Sequence, residues 1–71
     1  MPAKQLTPGQ RLRAARERAG VTQAQLAERM GSAQATISDV ERGQPATLDW
    51  MYAAAVALGY RPIVDLFGEG D

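Results

Sequence analysis

The residues with the most to offer chemically lie in one short stretch, Gln34-Ala35-Thr36-Ile37-Ser38-Asp39. Glutamine presents a donor beside an acceptor, the pattern that bonds an adenine edge in bidentate fashion. Alanine and threonine methyls match the thymine methyl, and an acid accepts from cytosine N4. The hydroxyls of Thr36 and Ser38 suit bases and phosphates alike. Wound into a helix, Ala35, Ser38, Asp39 and Arg42 share one outward arc, flanked by Gln34 and Thr36. Such a ridge is small, polar and rich in hydrogen-bonding groups, and the major groove of DNA, about 12 Å wide, admits one helix of this kind. Nothing comparable supports catalysis. The chain has no Cys and no His, which removes thiolate nucleophiles, imidazole bases and the metal sites built from either. The carboxylates are scattered, and neither a Gly-rich phosphate loop nor a metal-ligand spacing occurs. No enzyme, cofactor or metal is expected.

A chain of 71 residues, 45% hydrophobic and 23% charged, has material for one small core and no second domain. The longest apolar run, Met51–Leu58, is far too short to span a membrane. The opening MPAKQLTPGQ lacks the apolar stretch of a secretory signal, so a cytoplasmic location is expected. The 8 basic and 8 acidic residues cancel, but unevenly. Residues 1–18 hold Lys4, Arg11, Arg13, Arg16 and Arg18 against Glu17 alone, while the end carries Asp65, Glu69 and Asp71. A basic N-terminal third and an acidic tail follow.

The elements that must position the ridge are marked by regular punctuation. Thr7-Pro8-Gly9-Gln10 supplies a capping hydroxyl, a Pro at the first helical position and a Gln that returns a hydrogen bond. A first helix over about 8–19, stopped by Gly20, follows. Thr22 and Gln25 repeat the box and start a second helix over about 23–30, stopped by Gly31. A third runs over about 34–42 and ends at Gly43 and Pro45. Thr47 caps a fourth, ended by Gly59. Residues 1–7 form an arm and 60–71 a C-terminal segment. Over 60–67, Tyr, Ile, Val and Phe favour a short strand paired across a dimer; the rival is a fifth short helix over 63–67.

The faces of these helices carry further information. Leu12, Ala15 and Ala19 form an apolar stripe on the first helix; Ala33, Ile37 and Val40 do so on the third. Arg16 and Glu41 each lie at the edge of one stripe. A partly buried charge without a partner costs several kcal/mol, so the two are expected to pair. Ala27 is expected to let the second and third helices pack closely, with Val21, Leu26 and Met30 filling the core. The fourth helix is apolar all round, Asp49 being its one charge between Thr47 and Tyr60. With Leu48, Met51, Ala55 and Leu58 facing inward and Tyr52 at their edge, its second face would hold Trp50, Ala53 and Ala57, with Tyr60 nearby. That face is expected to meet a second subunit, together with Ile63 and Val64 of the tail; the rival is a tail that folds back over Trp50 within one chain.

The stretch LRAARERAGVTQAQLAERMGSAQATISDVERGQPATLDWMYAAAVALG resembles the Cro/C1-type helix-turn-helix family, also called XRE-type regulators. Arg16, Gly20, Thr22-Gln23, Leu26-Ala27, Gly31, Thr36-Ile37-Ser38, Glu41-Arg42-Gly43, Pro45 and Leu58-Gly59 carry the resemblance. It implies an all-α bundle of four or five helices, a homodimer on palindromic double-stranded DNA and a repressor's role. By position it implies that Gln34, Ala35, Thr36, Ser38 and Asp39 contact bases. Gln23, Arg42 and Gln44 would lie against the phosphate backbone, and Arg16 and Glu41 would form a structural ion pair. Arg11 and Lys4 add non-specific attraction. Three positions depart from the family's pattern. Asp39 stands where Arg or Lys is usual, Ala33 where a Ser/Thr cap is usual, and Ser32 at a usually apolar site, from which it would cap one residue early. The tail LGYRPIVDL also resembles small antitoxins of the family, which implies a toxin protein as an alternative partner.

Overall fold

Threonine hydroxyls start three of the helices. Thr7 accepts from the Gln10 amide at 3.1 Å, and the Gln10 side chain accepts from the Thr7 amide at 2.9 Å. Thr22 and Gln25 repeat this reciprocal pair at 3.0 and 2.9 Å. Thr47 accepts from the Trp50 amide at 3.1 Å. Each such cap contributes on the order of 1 kcal/mol by satisfying an amide that the helix leaves unpaired. In the computed structural model, which describes residues 6–60 and Leu66, these caps open α1 (Pro8–Arg18), α2 (Gln23–Met30) and α4 (Leu48–Ala57); α3 (Gln34–Glu41) lies between the last two. No strand occurs among the described residues. The expected strand or fifth helix over residues 60–67 falls almost wholly outside them, as do Lys4, Ile63 and Val64.

Ala33 occupies the cap position of α3 and Ser32 does not substitute for it: α3 has no side-chain cap bond. Ser32 is held instead through its own amide, which donates to the Ala27 carbonyl at 2.9 Å. That bond belongs to the end of α2, where Gly31 adopts φ 68°. Only a residue that tolerates the left-handed conformation closes a helix this way, and the closure turns the chain sharply into α3.

Leu12, Leu26 and Ile37, one each from α1, α2 and α3, are fully buried at the centre. Ala27 on α2 is buried where α2 and α3 pack. Two stripe assignments are corrected. Ala19 and Ala33 are exposed, because each lies at a helix terminus and the chain turns away there. The faces of α4 are corrected more extensively. Ala54 and Ala55 are completely buried, and Trp50, Ala57, Leu58 and Tyr60 pack partly buried against the chain's own core. Leu48, expected inward, is 65% exposed, and Tyr52 is 55% exposed. With apolar residues all round the helix, periodicity selects no face. The buried face is the one that carries two small side chains, Ala54 and Ala55, which let the helix pack closely on the core. Leu66 belongs to the same buried core.

Candidate nucleic-acid interface

A short tight turn between α2 and α3 brings the first turns of both helices side by side. Gln23 opens α2 and Gln34 opens α3, and the side-chain Nε2 of Gln34 donates to the Gln23 side-chain oxygen Oε1 at 3.4 Å. Behind them stands a charged brace. Arg16 Nε and Nη2 donate to the two carboxylate oxygens of Glu41 at 2.7 and 3.1 Å, in a bidentate fork. The Glu41 side chain is 4% exposed and that of Arg16 11%. Arg16 Nη1 donates to the Val21 carbonyl at 2.9 Å, which ties the α1–α2 turn into the same cluster. Hydrogen bonding to Glu41 raises the Arg16 pKa above its ordinary value, against burial, which lowers it. The brace thus links α1 to the C-terminal end of α3 through an arginine whose charged form the carboxylate stabilises.

The two clusters are joined. Gln23 Nε2 donates to Glu41 Oε1 at 3.0 Å, the same oxygen that accepts from Arg16 Nη2. The sequence marks Gln23, Gln34 and the ion pair separately, and the bonds that join them are a product of the fold. The spacing of the two glutamines shows nothing until the turn has folded.

Along α3, Gln34 and Ala35 are exposed, while Thr36, Ser38 and Asp39 are half-buried. Arg42, just past the helix end, donates to Asp39 Oδ1 at 2.7 Å. The two side chains are 71% and 51% exposed, so the pair adds little stability. Its consequence is electrostatic: Asp39 partly neutralises the cation at the end of the ridge. Gln44 lies beyond Arg42 on the wall of an apolar groove of about 410 Å³, opposite Thr7, Pro8 and Gly9.

Arg11 lies elsewhere. It lines a separate cleft of about 160 Å³ with Arg18, Tyr60 and Leu66, in which Arg18 donates to the Tyr60 hydroxyl at 3.1 Å. It is therefore not grouped with Gln23 and Gln34. Of the residues expected at a subunit interface, Trp50, Ala57 and Tyr60 are half-buried in the chain's own packing and Ala53 is exposed. The indole Nε1 of Trp50 is buried with no hydrogen-bond partner among the described residues.

The helix-turn-helix domain matches residues 9–62, from the first turn of α1 past the end of α4. No curated protein and no solved structure matches the chain. Two helices set at a tight glycine turn, braced from behind by a third and covered by a fourth, agree with that match in order and extent. Because the match spans well over half of its length, the chain belongs to the helix-turn-helix domain family.

Proposed function

We propose that the protein is a cytoplasmic, sequence-specific DNA-binding regulator of the Cro/C1 type. It acts as a homodimer on a palindromic site and represses transcription there. The observation that carries this reading is the exposed Gln34 in the first turn of α3, held against Gln23 at the start of α2. A helix of this family enters the major groove N-terminus first, so Gln34, Ala35 and Thr36 reach base edges, with Ser38 and Asp39 further along. Gln23, Arg42 and Gln44 face the backbone. Two such helices in a dimer stand about 34 Å apart, one turn of the duplex. The chain supplies the binding chemistry with its own side chains, without metal, cofactor or catalysis.

The test is selection from a pool of random duplexes at low ionic strength, followed by binding titrations. A palindrome with half-sites about 10 base pairs apart is expected. Gln34→Ala is expected to cost about 1–3 kcal/mol and to relax preference at one position of each half-site. Enrichment of no sequence would refute the assignment.

The exposed pair Leu48 and Tyr52 favours a second reading, in which an antitoxin-like protein holds a toxin. The Asp39–Arg42 pair, which weakens attraction to phosphate, points the same way. Co-purification of an untagged partner from the native host separates the two readings.

A further inference from the structure

We infer that Glu41 is a positioning residue for base selection as well as half of a structural ion pair: it sets the direction in which the Gln34 amide faces the duplex. This inference rests on the proposed reading of DNA by α3. The physical basis is a one-way relay of hydrogen bonds. An amide side chain has a donor end and an acceptor end of nearly equal size, so geometry alone does not choose between its two orientations. A carboxylate does choose, because it only accepts. Glu41, whose two oxygens accept from Arg16, therefore requires the amino end of Gln23, and the observed bond is Gln23 Nε2 to Glu41 Oε1 at 3.0 Å. The acceptor end of Gln23 is thereby turned toward α3, where it takes the Gln34 Nε2 donor at 3.4 Å. Gln34 Oε1 has no hydrogen-bond partner among the described residues, and because the residue is exposed this oxygen is free to accept from outside the protein.

An acceptor fixed at that place discriminates. It is satisfied by the adenine N6 or cytosine N4 amino group and repelled by guanine O6 or thymine O4. Glu41 is buried and touches no solvent-facing position of the ridge, yet its charge reaches the ridge through Gln23. Glu41→Gln removes the directionality with little change in shape: a glutamine at 41 accommodates either end of Gln23, and both amides become free to turn over.

The experiment compares wild type with Glu41→Gln, Gln23→Met and the mild core variant Ile37→Val. Each is read in two ways. The first is the side-chain amide NMR signals of Gln23 and Gln34 without DNA. The second is base preference against a panel of duplexes varied at each position. Both Glu41→Gln and Gln23→Met are expected to shift the Gln34 amide signals and to reduce discrimination at one base position by about tenfold. That position is expected to admit guanine or thymine in addition. Ile37→Val is expected to lose stability and keep its base preference. Gln23→Met leaves the Arg16–Glu41 pair in place and tests the Gln23–Gln34 link; should Glu41→Gln fail to fold, Glu41→Asp, which keeps the charge but draws it back from Gln23, is expected to shift the Gln34 amide signals in its place, and unmoved signals would overturn the inference. Wild-type preference in a folded Glu41→Gln, or Gln34 amide signals unmoved by both variants, would overturn the inference. If the wild type itself shows no base preference, the DNA reading fails, and the NMR arm still decides whether the relay exists.

Discussion

At the scale of single residues, the Arg16–Glu41 pair should dominate stability. Removing one partner of a buried pair costs about 3–5 kcal/mol, because the other is left uncompensated. Arg16→Met is expected to lose that much in urea unfolding; a loss below about 1 kcal/mol would mean that the pair behaves as an exposed one. Arg16→Lys keeps the charge but loses the fork, and it introduces a pH dependence. The Arg16 pKa is raised on folding, so its contribution is complete below the unfolded value and is lost only above the folded one. That window lies beyond any ordinary titration. A lysine brings it down toward about pH 10, and the variant should lose stability there while the wild type does not. Gly9 makes a different point. A Cβ at this position would overlap the Val40 carbonyl, so α1 and α3 approach closely only because the side chain is absent. Gly9→Ala is expected to lower stability by about 1–3 kcal/mol, measured by thermal melting, with an unchanged melting point refuting the close approach. The ion pair was legible in the sequence because charges on the edges of two apolar stripes need partners. Gly9 was not, because its constraint is set by a carbonyl remote in sequence.

At the scale of elements, the same distinction separates α1–α3 from α4. Polar residues on the first three helices leave one apolar stripe each, and capping residues mark their ends, so order and approximate bounds could be read directly. On α4 the stripe is missing, and its buried face follows from the packing of Ala54 and Ala55 into the core. The weakest start belongs to α3, the helix that matters most for binding. Its cap position, Ala33, is exposed and offers only its carbonyl, which accepts from the Thr36 amide at 3.0 Å, and no side-chain oxygen. Ala33→Ser supplies one and is expected to gain about 1 kcal/mol. A matching rise in amide-exchange protection over Gln34–Ile37 would locate the gain in that turn, and a loss of stability would mean that the first turn of α3 is already satisfied.

At the scale of the whole molecule, zero formal net charge gives little long-range attraction to a polyanion, and a single α3 buries little surface in a groove. Affinity in the proposed reading must then come from engaging two half-sites at once, which doubles the contacts without a second diffusional encounter. That requirement makes the outer face of α4 important. Leu48 and Tyr52 stand one turn apart and exposed on it, with Ala53 beside them. An apolar patch is self-complementary across a two-fold axis in a way that a charged one is not. Leu48→Glu places like charges against each other across that axis while leaving the monomer core untouched. The expected result in sedimentation is a wild type near twice 7.6 kDa and a variant near 7.6 kDa. Binding to a palindrome should weaken at least tenfold, and binding to an isolated half-site should stay as it was. A variant that remains dimeric would move the interface away from this face. A wild type that is monomeric when bound to its selected palindrome would remove the requirement for a dimer altogether.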